Sequence, residues 1–126
     1  MSKILKIRAR QVFDSRGNPT IEAVVYSKNL SASAICPSGA STGTYEAFEK
    51  RDKDNNKYLG KSVLSAVNLV NTIISNKLRG TNIHDQTRID ITLINLDGTK
   101  QKTNLGANAI LAVSMAAKKL SAKIKK

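Results

Sequence analysis

The chain has 126 residues, 40% of them hydrophobic, and a formal net charge of +12. This size and composition fit one folded domain with its own apolar core and exclude a disordered or fibrous chain. No apolar run reaches the roughly 20 residues of a membrane-spanning helix, and residues 1–6 lack the apolar segment of a signal peptide. The single cysteine, Cys36, excludes an internal disulfide, and the cytoplasm is the expected compartment.

The positive charge lies mainly at the two ends of the chain. Residues 1–13 carry four basic side chains and residues 98–126 carry seven, and neither segment holds an acidic residue. Clustered Lys and Arg are typical of nucleic-acid-binding proteins, but these are mostly lysines along a predicted helix, with few aromatics for base stacking. The preferred interpretation is a piece of a longer protein whose acidic part balances the charge. A basic nucleic-acid-binding module is the first alternative, and a free-standing interaction domain is the second.

The first 36 residues predict a three-stranded antiparallel meander. Strands are expected over residues 4–13, 20–27 and 31–36, because apolar and polar residues alternate there and β-branched residues are frequent. Residues 14–19 combine Asp, Gly, Asn and Pro, which is the chemistry of a tight turn.

Beyond residue 43 the apolar spacing becomes helical. A short helix is predicted over residues 44–51, a second over 63–78, a third after Asp85, and a last one from about Gly106 into the lysine-rich end. The residues expected to be buried in the second and third helices are Val63, Leu64, Val67, Val70, Ile73, Ile74, Leu78, Ile89, Leu93 and Ile94. Three strands followed by a bundle of three to four helices predict an α+β fold.

The segment between Pro37 and Thr44 is rich in hydroxyl side chains and holds two glycines. It predicts a mobile loop that can bring oxygen atoms close to a ligand or a metal. A nucleophilic serine here would need a positioned base, and the only histidine, His84, is predicted to be an exposed residue near a helix start. A phosphate-binding loop is disfavoured because no lysine follows the second glycine.

Four segments, taken in order, resemble the amino-terminal domain of enolase, the glycolytic lyase. They are residues 13–20 (FDSRGNPT), 37–44 (PSGASTGT), 96–99 (LDGT) and 104–109 (NLGANA), supported by 58–61 (YLGK). The resemblance runs from about Ile7 to Ala117. It implies that residues 1–126 form one amino-terminal domain, and that the catalytic barrel of the family is absent from this chain.

The resemblance also assigns roles to individual residues. It implies that Ser41 binds the second Mg²⁺ of an enzyme that dehydrates 2-phosphoglycerate to phosphoenolpyruvate. It implies that Arg10 and Glu22 lie at a homodimer interface. The loop expected to close over the substrate consists of Ser38, Gly39, Ala40, Ser41, Thr42 and Gly43. The lysine base, the glutamate acid and the carboxylate ligands of the family lie in its barrel, so the isolated chain is expected to be inactive.

Overall fold

The computed structural model describes residues 2–36, 49–53, 60 and 62–126. Three strands come first: β1 (Lys6–Phe13), β2 (Pro19–Tyr26) and β3 (Ser31–Ile35). They pair antiparallel in the order β1-β2-β3, which confirms the predicted meander. β1 begins two residues later than predicted, since Ile4 bonds to a residue outside the sheet. The Ile4 N–H donates to the Thr81 carbonyl at 2.9 Å, and Lys3 pairs with Asn82.

The helical part follows the strands. It consists of α1 (Leu64–Leu69), a π-helical segment (Val70–Ile74), α2 (Ser75–Leu78), α3 (Gln86–Asp97) and α4 (Ala107–Lys125). The α+β prediction is therefore confirmed. Of the short helix predicted over 44–51, residues 44–48 lie outside the described residues and 49–51 are not helical. Within the described part of the chain, every helix is too short or too polar to cross a membrane.

The core forms between the sheet and α4. Ile21, Ala23 and Val25 alternate along β2 and are fully buried, and α4 packs on β2 and β3. The face that α4 presents is built largely from small residues, because Ala109, Ala112, Val113, Ala116 and Ala117 are all fully buried. Small side chains let the helix backbone approach the sheet closely. Buried residues of the other helical segments, among them Val70, Leu78 and Leu93, complete the core.

Three residues predicted to be buried are instead 45% exposed: Leu64, Ile73 and Ile94. Leu64 opens α1, and Ile94 lies next to the buried Leu93 but points away from the stripe formed by Ile89 and Leu93. Ile73 falls in the π-helical segment, where each turn takes in one extra residue. A regular helical period therefore assigns the wrong face at this position.

The outer edge of β1 is covered by polar side chains from the helical part. The Ala9 N–H donates to Asn71 Oδ1 at 2.7 Å, and Asn71 Nδ2 donates to the Ala9 carbonyl at 3.3 Å. The Ile7 N–H donates to Ser75 Oγ at 3.0 Å. An exposed strand edge invites pairing with other chains. These bonds give backbone groups at the edge of β1 their hydrogen-bond partners, and they hold the π-helical segment and α2 against the sheet.

Replacing Asn71 by alanine should therefore destabilise the domain by about 1–3 kcal/mol, because both backbone groups of Ala9 lose their partner. Urea unfolding measures the change. Asn68→Ala is the matched control, since Asn68 is an exposed asparagine of the neighbouring turn, and it should change stability by less than about 0.5 kcal/mol. Equal losses in the two variants would show that the edge contacts do not stabilise the fold.

Candidate functional site

The two ends of segment 37–48 converge on the beginning of β2. Before the segment, the Thr20 hydroxyl donates to the Cys36 carbonyl at 2.8 Å. After it, Arg51 Nη1 donates to the Pro19 carbonyl at 2.9 Å. Because Pro19 and Thr20 are consecutive, the entry and the exit of the segment are anchored side by side. The segment itself lies outside the described residues, and with it the predicted loop residues Ser38, Gly39, Ala40, Ser41, Thr42 and Gly43.

Cys36, at the entry, is buried and its thiol stays protonated at neutral pH. Burial raises the pKa of the Cys36 thiol to about 11, with a further upward contribution from the Glu49 carboxylate and a downward one from the Arg51 guanidinium. Glu49 and Arg51 form an ion pair at 3.0 Å. The thiolate is the form that attacks electrophiles and binds metals, so Cys36 contributes packing rather than chemistry.

The exit of the segment is held by a side chain of α4. The Lys50 N–H donates to Asn108 Oδ1 at 3.0 Å, and Asn108 Nδ2 donates back to the Lys50 carbonyl at 3.1 Å. Gly106 also lies close to Lys50. A Cβ atom added at Gly106 would lie 2.5 Å from the Lys50 Cβ and 2.6 Å from Asn108 Oδ1. No other residue type fits at this position without moving the 49–53 segment.

Asp52, two residues after Lys50, connects the exit of the segment to α1. Its carboxylate accepts hydrogen bonds from the Leu64 N–H at 3.0 Å and the Ser65 N–H at 2.9 Å, and its own N–H donates to the Ser62 carbonyl at 2.8 Å. A carboxylate at this position satisfies backbone N–H groups that have no partner within the helix. Residues 49–53 are thus attached to β2, α1 and α4 together.

The geometry of the turn before α4 depends on Asp97, which is buried at the end of α3. Its carboxylate accepts hydrogen bonds from the Thr99 N–H at 3.0 Å, from the Thr99 hydroxyl, and from the Leu105 N–H at 2.7 Å. Burial acts to raise the pKa of Asp97, but these hydrogen bonds and the nearby Lys102 outweigh it and lower the pKa. The carboxylate therefore stays charged and holds residues 98–105, which place Gly106.

Arg10 and Glu22, predicted to lie at a dimer interface, are direct cross-strand partners in one chain. Arg10 Nε lies 2.6 Å from Glu22 Oε1, and the two side chains are 72% and 14% exposed. They lie on the sheet face opposite α4. An ion pair whose arginine side chain is 72% exposed contributes little to folding stability. Its relevance to function is its position on the outer face of the sheet.

The described residues contain no group of three or more His, Cys, Asp or Glu that could hold a metal ion. His84 was predicted to be exposed, and this was wrong. It is half-buried, and its Nδ1 lies 2.6 Å from the Ser121 hydroxyl of α4. The residues that sequence reasoning missed are Asn108 and Gly106, for which the segment NLGANA was the available signal.

Replacing Gly106 by alanine should loosen the 49–53 segment, because the new methyl group collides with Lys50. Gly80→Ala is the matched control. Both glycines have positive φ, 91° and 85°, but the control position has no atom within 4 Å of the added Cβ. The control should cost about 1–2 kcal/mol from backbone strain alone, and Gly106→Ala about 1–3 kcal/mol more.

Urea unfolding measures both variants. Trypsin, which cleaves after Lys50 and Arg51, should cut folded Gly106→Ala faster at these two bonds than it cuts folded Gly80→Ala. Equal stability and equal cleavage would show that the close approach to Lys50 does not hold the segment.

Comparison with known proteins identifies the family. The family model described as "Enolase, N-terminal domain" matches residues 4–126. The enolase of Pelagibacter ubique (strain HTCC1062) is 89% identical over 125 residues, which are 99% of this chain and 30% of that enolase. The chain thus spans less than a third of the length of this curated relative. Neither comparison favours the nucleic-acid-binding alternative. The described fold agrees with the match, and the chain belongs to the enolase family, of which it carries the amino-terminal domain.

Proposed function

We propose that this domain works within an enolase that dehydrates 2-phosphoglycerate to phosphoenolpyruvate and water in the cytoplasm. The observation that carries the proposal is the 89% identity to a curated enolase over 99% of the chain. At this identity about nine residues in ten of the matched stretch are the same in that enolase.

Within that enzyme, residues 38–43 form the loop that covers the substrate, and Ser41 is a ligand of Mg²⁺. A hydroxyl oxygen suits this hard cation, which commonly keeps only one or two protein ligands and completes its shell with water and substrate oxygens. The family resemblance implies that the carboxylate ligands of the ion lie in the barrel. When bound, Mg²⁺ would offset negative charge that develops on the substrate carboxylate.

The contribution of the described residues is to hold both ends of the loop. Thr20 fixes the entry at Cys36, while Asn108 fixes the exit at Lys50. A ligand that acts only in one geometry needs supports whose own positions are fixed. Thr20 and Arg51 also hold the two ends beside the start of β2, which would keep the loop in place over the active site when it closes.

We also propose that the complete enzyme is a homodimer and that the outer face of the sheet takes part in its interface. Arg10 and Glu22 lie on this face, which α4 leaves uncovered. In the isolated chain they pair with each other. In the dimer, each would instead face an opposite charge of the second subunit.

In the complete enzyme, Ser41→Ala should lower kcat by roughly 10²–10³, the scale for removing one preorganised group that stabilises the transition state. Stability should change by less than about 0.5 kcal/mol. Steady-state kinetics across a Mg²⁺ titration, with a melting curve, measure the two effects. Thr87→Ala removes an exposed hydroxyl of α3 and should leave both unchanged. Turnover near that of the parent at every Mg²⁺ concentration would exclude Ser41 as a ligand.

Arg10→Ala in the complete enzyme should weaken dimerisation at least about tenfold, since removing one partner of an interfacial charge pair leaves the other unpaired. Sedimentation velocity measures the dimer dissociation constant. In the double variant Arg10→Glu/Glu22→Arg both subunits carry both changes, so opposite charges again face each other across a two-fold interface, and this variant should dimerise more tightly than Arg10→Ala. An Arg10→Ala variant that dimerises like the parent would show that the interface does not involve these charges.

A further inference from the structure

Among the described residues, Asp97 is the only charged residue that is buried. It lies where α3 ends and the α3–α4 turn (residues 98–106) begins. The Lys102 ammonium is near it, but donates instead to the carbonyls of Thr99 at 3.3 Å and Lys100 at 3.2 Å. A buried carboxylate is costly to desolvate, and apolar side chains of similar size often stabilise a fold as well or better. The benefit of Asp97 is therefore to be sought in the conformation that it selects.

That conformation is the path of the α3–α4 turn. The carboxylate reaches both ends of the turn, because Oδ1 accepts from the Thr99 N–H at 3.0 Å and Oδ2 accepts from the Leu105 N–H at 2.7 Å. Between these ends, Lys102 has φ 63°, in the left-handed region that is uncommon for lysine, and its carbonyl accepts from the Gly106 N–H at 2.9 Å. Unfavourable backbone of this kind persists only where the surrounding contacts determine it. Asp97 supplies two of these contacts.

The α3–α4 turn leads directly to the contacts that hold Lys50. Gly106 ends the turn and leaves no room for a Cβ beside Lys50, and Asn108, two residues later, bonds to both backbone groups of Lys50. A series of hydrogen bonds and packed atoms therefore connects the Asp97 carboxylate to the exit of segment 37–48. Coupling between distant positions needs such a physical connection.

We propose that Asp97 is a positioning residue for the reaction: it fixes the exit of segment 37–48 through Gly106 and Asn108, and thereby the place of Ser41 at the metal. This inference rests on the proposed function, in which Ser41 binds Mg²⁺. The position requires a carboxylate, because an asparagine has one acceptor oxygen and would turn its NH₂ group towards the N–H of Thr99 or of Leu105. A merely structural role of Asp97 makes a different prediction, namely that kcat falls only as far as stability falls.

The test compares variants of the complete enzyme by steady-state kinetics across a Mg²⁺ titration. Asp97→Asn should lower kcat by about fivefold to thirtyfold, the larger effects of residues that act on a site from a distance, and it should raise the Mg²⁺ concentration that gives half the maximal rate. In a Ser41→Ala background, the same change should alter kcat by less than about twofold, because its effect passes through Ser41. Asp85→Asn is the matched control at the other end of α3, where the Asp85 side chain accepts from the Arg88 N–H. It should keep kcat within about twofold of the parent.

Amide hydrogen exchange of the folded complete enzyme gives a readout that does not depend on activity. Asp97→Asn should speed exchange in residues 49–53, where the Lys50 N–H is held by Asn108, and leave exchange in β2 unchanged. Asn71→Ala removes contacts at the edge of β1 and is the control for lost stability, so kcat and exchange in residues 49–53 should stay near those of the parent. If Asp97→Asn does not fold, Thr99→Val removes one donor to the carboxylate and should show the same effects at smaller size.

Three results would overturn the inference. Unchanged exchange in residues 49–53 of Asp97→Asn would show that the α3–α4 turn does not fix the exit. An equal loss of kcat in the Ser41→Ala background would show that Asp97 acts independently of Ser41. A loss in Asn71→Ala as large as that in Asp97→Asn would mean that kcat follows stability alone. A parent enzyme without turnover of 2-phosphoglycerate would instead overturn the proposed function, and exchange would still decide whether Asp97 fixes residues 49–53.

Discussion

The close contact between Gly106 and Lys50 is the constraint on which the functional part of the domain depends. Asn108 can bond to both backbone groups of Lys50 only because the backbones approach to a distance that excludes a Cβ at position 106. Residues 49–53 then reach β2 through Arg51 and α1 through Asp52. Loss of this approach would remove the attachment of residues 49–53 to α4, and only the bonds of Arg51 and Asp52 would then hold the exit of segment 37–48.

The two faces of the sheet differ in burial and in charge. One face gives Ile21, Ala23 and Val25 to the core under α4. The other carries Arg10 and Glu22, whose pairing contributes little to stability. Since antiparallel sheets commonly leave one face to solvent, the fold does not require these charges. The outer face can therefore contact a second chain without loss of folding stability, as we propose for the dimer.

Local patterns in the sequence were sufficient for most of the fold. Period-two alternation located the three strands, and Asp85 located the start of α3, where its carboxylate accepts from the Arg88 N–H. The π-helical segment was not predictable, because its contacts with β1 join residues 62 positions apart, as Asn71 does with Ala9. The role of Asn108 was missed for the same reason, as its partner Lys50 is 58 positions away. The assignment of Ser41 rests on family resemblance and stays a prediction.

Asn108 lies in the first turn of α4 and connects the exit of segment 37–48 to the core. This helix of 19 residues packs along β2 and β3, and its buried face consists largely of alanines. Because the interior is close-packed, a shift of Asn108 would have to move the core with it. The anchor at Lys50 therefore has the rigidity of the core, which is what the support of a metal ligand needs.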